Sequence, residues 1–140
     1  MAERVLIDTG PIVAILSKDN EHHDRCSAAL TALTPPLLTC WPVLTEAAWL
    51  LRTRPDTLTK MFEGFRGGFF ALLPLNADAL PAVAALMKRY ESAGLQLADA
   101  ALAYLAEREN IRTVFTIDRR DFSIIRLKRN RMLRIIPDDQ

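Results

Sequence analysis

Residues 1–16 read MAERVLIDTGPIVAIL. The apolar run Val5-Leu6-Ile7 halts on an acid, Asp8, and Thr9, Gly10 and Pro11 intervene before the hydrophobic residues resume. A short apolar run followed at once by a helix start is how a buried strand feeds a helix, so residues 4–8 are expected as a strand and the helix begins near Pro11. A carboxylate just before a helix with Pro in its first turn is also what an ordinary N-terminal cap looks like. Whether Asp8 is only a cap depends on where the other acids go.

The same alternation runs outward from this stretch. A second helix is expected from about Asn20, with Cys26, Ala29, Leu30 and Leu33 at helical spacing, ending at Pro35-Pro36. Residues 37–40 are strand-like, and Pro42 suits the first turn of a helix reaching about Arg52. Pro55 opens another helix, with Leu58, Met61, Phe62 and Phe65 on one face, and Gly67-Gly68 closes it. Residues 69–73 form the third expected strand, after which Asn76 caps a long helix up to Gly94. A helix covers about 98–109, residues 113–117 are a strand ending on Asp118, and residues 133–136 are a last one. Strands separated by helices predict an α/β fold, a mostly parallel sheet with helices on both faces. With no repeat, low-complexity segment or dividing linker, residues 1–140 are expected to form one domain.

A chain of 140 residues, half of them hydrophobic, can build one sizeable core. Its apolar stretches fall well short of the roughly 20 residues of a membrane span, and no basic, apolar and small-residue series opens it. No membrane association is expected, and the cytoplasm is the expected compartment. Cys26 and Cys40 form no CxxC pair and read as reduced core thiols rather than a disulfide framework or a zinc site. Net charge is only +1, but residues 118–134 hold seven bases (Arg119, Arg120, Arg126, Lys128, Arg129, Arg131 and Arg134) against Asp118 and Asp121. Such a run is ordinarily a solvated loop or hairpin, and contact with nucleic-acid phosphates is the sharper alternative.

In an open parallel sheet the ligand crevice lies beyond the carboxyl ends of the strands, where the following helices begin. Four acids belong there: Asp8 and Asp118 at strand ends, Glu46 in the early turns of the helix after the second strand, and Asp99 opening the helix after Gly94. One acid near a helix N-terminus is explained by about 0.3–1 kcal/mol of dipole stabilisation. Four on one edge repel one another and raise one another's pKa unless a cation sits among them. Mg2+ or Mn2+ suits carboxylate oxygens, and no Cys or His cluster competes for a softer metal. Such a site activates water and stabilises a phosphodiester transition state without a serine nucleophile or a histidine base. Thr9 and Thr116, one and two residues from strand-end acids, offer hydroxyls to orient a carboxylate.

The series VLIDTGPIVAIL, VLTEAAWLL, GLQLADAALAYLA and TVFTIDRRDF resembles the PIN-domain family, and within it the VapC-type toxins of toxin-antitoxin pairs. The resemblance covers nearly the whole chain and rests on the combination of motifs. It implies a three-layer α/β/α sandwich and a Mg2+- or Mn2+-dependent endoribonuclease whose catalytic and metal-holding acids match Asp8, Glu46, Asp99 and Asp118. It also implies a homodimer, a cognate antitoxin and an RNA substrate such as transfer or ribosomal RNA. Asp121 matches a position where relatives carry Asp, Asn or His, and it is either a further ligand or a cap of the turn after Asp118.

Among residues outside those motifs, His22 and His23 read as solvated helix-end histidines. Trp41, Trp49, Phe62, Phe65, Phe69 and Phe70 read as core, and the resemblance implies that part of that surface is the groove an antitoxin's tail occupies. Asp8-Thr9-Gly10 is also the aspartic-protease triplet, but those enzymes are nearly all-β and this chain patterns mostly as helix. A haloacid-dehalogenase-like phosphatase wants a second acid at position 10, which is Gly10. The alternative from another class is a PIN-like RNA-binding or scaffold protein without catalysis; against it, all four matching acids are present.

Overall fold

The computed structural model describes residues 2–138; Met1, Asp139 and Gln140, the ends of the expected domain, lie outside the described residues. In chain order the elements are β1 (Val5–Ile7), α1 (Thr9–Leu16), α2 (His23–Leu30), β2 (Leu37–Thr39), α3 (Trp41–Leu50), α4 (Pro55–Arg66) and β3 (Phe70–Leu72). There follow α5 (Leu80–Arg89), α6 (Leu97–Glu109), β4 (Thr113–Phe115), α7 (Arg119–Ser123) and β5 (Arg134–Ile136). Single 3-10 turns lie at Ala77–Ala79, Glu91–Ala93 and Lys128–Asn130.

The five strands form one sheet in the order β3-β2-β1-β4-β5, every pair parallel, with Leu6 opposite both Leu38 and Val114. β1, β2 and β4 are buried at every position, which is why they read as unbroken apolar runs rather than alternating ones. Helices cover the sheet to give the three-layer α/β/α sandwich. The centre of the packing is α6, eight of whose thirteen residues are buried, five of them alanines that let the helix approach its neighbours closely. Emptying its fully buried Leu105 to Ala would cost about 2–5 kcal/mol. Cys26 and Cys40 are buried free thiols, as expected.

Several expectations are corrected. The single helix from Asn76 to Gly94 is instead a 3-10 turn, α5 and a second 3-10 turn. Pro81 explains the first break: it has no N–H for the Ala77 carbonyl and its ring would clash there, so the α-helix starts at Leu80 and holds Pro81 in its first turn. The basic segment expected as a loop or hairpin contains α7 before it reaches the expected last strand, β5, which pairs parallel to β4. Phe70 is core, but Trp41 and Trp49 are each 62% exposed and Phe62 is half exposed, because α3 and α4 turn those faces outward. His23 is not a solvated helix end; its Nδ1 lies 2.7 Å from the Ala14 carbonyl, tying α2 to α1.

Candidate active site

From β1 the chain moves to β2 and β3 on one side of the sheet, and later supplies β4 and β5 on the other. The connections leaving β1 and β4 therefore diverge at their carboxyl ends, and a crevice opens between them. Asp8 N–H donates to the Phe115 carbonyl at 2.9 Å, so the two strand ends are held side by side as the crevice starts. The cavity there, about 270 Å³, is lined by Asp8, Glu46, Asp99, Asp118 and Asp121 together with Thr9, Gly10, Leu50, Gln96 and Ile117.

Each acid arrives by a separate local device. Asp8 is the N-cap of α1 in extended conformation, its Oδ1 accepting Thr9 N–H at 2.8 Å. Glu46 projects from α3, which Pro42 starts just after β2. Asp99, in the first turn of α6, accepts the Gln96 N–H at 3.3 Å. Asp118 is the N-cap position of α7, and Asp121 lies in that helix's first turn. Asp8 and Asp99 are buried, whereas Glu46 and Asp118 are exposed, so two carboxyls form a floor and two stand at the rim.

Burial and crowding act on the floor. Asp8 is pushed up to about 6, first by burial and then by the charges of Glu46 and Asp118, against the hydrogen bonds from Thr9 and Thr116. Asp99 is pushed up to about 7, again by burial first, then by Asp8 and, less, by Asp121 and Asp118. Asp121 is raised by burial and by its hydrogen bond with Asp118, with Arg120 pulling the other way. All three carboxyls are thus disfavoured as anions, the electrostatic condition that a cation relieves.

Residues 5–128 match the PIN domain family. The chain belongs to the PIN-domain family. A curated relative, Ribonuclease VapC26 of Mycobacterium tuberculosis, is 28% identical over 124 residues, covering 87% of this chain and 92% of the relative. Among solved structures, the sarcin-ricin-loop-cleaving toxin VapC20 of Mycobacterium tuberculosis superposes with a TM-score of 0.70 at 16% identity, over 79% of this chain and 86% of that one. PAE2754 from Pyrobaculum aerophilum gives a TM-score of 0.50 at 21% identity, over 85% and 84%. The two structures share this PIN domain's fold; the sequence relative is a VapC ribonuclease.

The PIN-domain cavity offers only oxygen donors near its acids, the set a hard divalent ion takes. Among the described residues, no three His, Cys, Asp or Glu side chains stand closely enough to hold one ion by themselves. Mg2+ binds commonly through one or two carboxylates with water in the remaining positions, so the donor set fits such an ion.

The two threonines part company. Thr116 Oγ1 donates to Asp8 Oδ2 at 2.9 Å and accepts Asp118 N–H at 3.0 Å, bridging two of the acids. Thr9 steadies Asp8 through its backbone N–H, while its hydroxyl donates to the Val43 carbonyl at 3.4 Å and so ties α1 to α3. Of the seven basic residues singled out in the sequence, none lines this cavity. Arg119 donates to the Ile135 and Pro137 carbonyls at 3.2 and 2.8 Å, and Arg126 to those of Ser123 and Ile125 at 2.8 and 3.3 Å. Arg131 reaches Asn110 at 3.2 Å and Glu107 at 3.5 Å, beside the amino ends of β1 and β4 rather than the carboxyl ends. Arg120, Lys128 and Arg129 are exposed.

Four cavity residues escaped the sequence reading. Leu50 is four residues after Glu46 on α3 and Gln96 three before Asp99, spacings that place them beside those acids. A Cβ on Gly10 would stand 2.6 Å from Ile117 Cγ1, a contact between segments more than a hundred residues apart that no local pattern announces.

Proposed function

We propose that this chain is a divalent-metal-dependent endoribonuclease and the toxin of a toxin-antitoxin pair, hydrolysing RNA phosphodiester bonds at the carboxylate cavity. The observation that carries the proposal is the convergence of Asp8, Glu46, Asp99 and Asp118 from four separate segments on one crevice, in a PIN domain related to a VapC ribonuclease. Mg2+ or Mn2+ would be held by one or two of these four carboxylates directly and by the others through water, with Asp121 beside them. A divalent ion, when bound, supplies positive charge to the phosphodiester transition state and promotes deprotonation of the attacking water.

The remaining roles fall to the chain itself. Thr116 keeps Asp8 turned into the cavity and fixes the backbone at Asp118, a positioning role of the kind outer residues play around metal ligands. Asp99, its carboxyl raised to about 7 by burial and by the neighbouring acids, is the group whose ionisation a bound cation would favour most. Ile117 and Leu50 give the cavity apolar walls beside the acids. Exposed Arg120, Lys128 and Arg129 are the cations of the basic segment available to meet phosphates.

A cognate antitoxin and a second copy of the chain are the protein partners this reading carries, in a cytoplasmic setting. No helix among the described residues is long and apolar enough to cross a membrane. Trp41, Phe62, Leu80 and Met132, large apolar side chains left at least half exposed, are surface on which such partners would be accommodated.

The test is to map new 5′ ends in total RNA after induced expression of wild type beside Asp99→Asn, and to repeat the cleavage with purified protein in Mg2+, Mn2+ and EDTA. New ends only with wild type, metal-dependent in vitro, are expected, with growth arrest relieved by co-expressing a neighbouring antitoxin. RNA binding without cleavage by the folded wild type in either metal would instead establish the non-catalytic RNA-binding alternative.

A further inference from the structure

Trp49 follows Glu46 by three residues on α3, and Leu50, its immediate neighbour, is part of the cavity wall. Residues three and four apart share a helix face, so the indole projects beside the carboxylate site. It is 62% exposed, an unusual place for the largest apolar side chain. The ring is not loose. The Arg52 guanidinium lies over it, Cζ 3.7 Å from the ring centroid, and donates from the same group to the Trp49 carbonyl at 2.8 Å.

Charge narrows what this pair is for. Five carboxylates line the adjacent cavity, so a polyanion approaching it needs a cation close by. Arg54 does not serve, because Asp19 holds it in a two-pronged pair at 2.7 Å. Arg52 makes no ion pair among the described residues, and its charge is fixed on the indole instead. A purely apolar partner seated here would have to strip water from that guanidinium and from the nearby acids without compensation. An unpaired nucleotide would not: its base offers a π-face to the indole, and its phosphate offers a negative group to Arg52.

Resting on the reading of this cavity as an RNA site, we propose that Trp49 and Arg52 form a stacking subsite for an unpaired base next to the cleaved phosphodiester. The subsite makes the enzyme select single-stranded or loop nucleotides there rather than a base held in a duplex. Because every base has a π-face, Trp49 contributes affinity and strandedness preference, and not the identity of the base.

The test uses the full chain carrying Asp99→Asn, so that RNA is bound and not consumed, in Mg2+. In a Trp41→Phe background, a ten-nucleotide oligoadenylate should quench Trp49 emission saturably, and an abasic oligomer of equal length should not. Anisotropy of a fluorescein-labelled oligoadenylate should report binding roughly 5- to 150-fold weaker for Trp49→Ala, the range base stacking gives on alanine substitution, with most of the affinity kept by Trp49→Phe. An affinity for Trp49→Ala within twofold of the parent, or equal quenching by the abasic oligomer, overturns the subsite. A shift of Trp49→Ala from dimer to monomer at unchanged RNA affinity likewise overturns it and assigns the face to contact between copies. If the parent binds no RNA of any kind, the RNA reading of the cavity fails with it, whereas equal binding by parent and variant removes only the subsite.

Discussion

Thr116 Oγ1 donates to Asp8 Oδ2 at 2.9 Å, across the gap between β4 and β1, and the same oxygen receives the Asp118 N–H at 3.0 Å. One hydroxyl thereby sets the direction of a buried carboxylate and the path of the chain into another acid. Thr116→Val keeps the shape and removes both bonds. Cleavage should fall about 10- to 100-fold, the usual effect of losing a group that orients metal ligands, and Thr116→Ser should recover most of it. Initial rates for the three proteins check this; a valine variant as active as wild type would show that the bridge is structural only.

The pH dependence of stability has a definite sign. Asp8 and Asp99 both ionise less readily in the folded chain than their ordinary value of 3.8, at about 6 and about 7. Between those limits the folded state binds more protons than the unfolded one, so stability falls as pH rises from about 4 to 7. A tenfold change in proton affinity corresponds to about 1.4 kcal/mol, and because the two carboxyls share their repulsion the loss should be about 2–4 kcal/mol rather than the full sum. Urea midpoints measured in EDTA at pH 5 and 8 check it, and an increase with pH would contradict it.

Asp8→Asn should accordingly melt higher than wild type in EDTA at pH 8, by about 0.5–2 kcal/mol. The gain is less than the whole charge penalty, because the amide keeps only one acceptor oxygen, so either the Thr9 N–H or the Thr116 hydroxyl loses its partner. Millimolar Mg2+ or Mn2+ should reverse the order, since binding stabilises by mass action only the protein that holds the ion. Cleavage should be lost under both conditions. A variant that melts lower in EDTA, responds to metal like wild type and still cuts RNA would leave Asp8 a helix cap and nothing more.

Gly10→Ala places a methyl carbon 2.6 Å from Ile117 Cγ1 and 2.8 Å from its Cδ1. The Ile117 side chain must move, and it is part of the cavity wall. Overpacking of this kind costs about 1–3 kcal/mol. Pairing the change with Ile117→Ala should recover part of that loss, giving a coupling between the two sites of at least about 0.5 kcal/mol in a double-mutant cycle. Simple additivity would mean that the contact is relieved elsewhere.

Lys128 and Arg129 are exposed, while Arg126 and Arg131 are engaged with the chain's own carbonyls and with Glu107. Lys128→Gln with Arg129→Gln should flatten the dependence of log K for RNA on log salt by up to about two in slope. The corresponding pair of changes at Arg126 and Arg131 should have a smaller effect on the slope and a larger one on melting temperature. Equal slopes for all three proteins would return the whole segment to solvated surface.

The amino-acid sequence determined the strands and most helices, because buried parallel strands write unbroken apolar runs and the prolines and glycines between them punctuate the chain. Asp8, Glu46, Asp99 and Asp118 were visible for the same reason: a strand end or a helix start fixes which edge of the sheet a residue occupies. Only the tertiary structure decided what lies between those acids. That Thr116 rather than the Thr9 hydroxyl holds Asp8, that Gly10 makes room for Ile117, and that Trp49 stands in water beside the site all depend on distances between segments far apart in the chain. The basic tail makes the same point, since its charge was countable but its direction was not. Arg119 and Arg131 face carbonyls and acids supplied by other strands and helices, and local spacing carries no information about a partner that arrives from elsewhere in the fold.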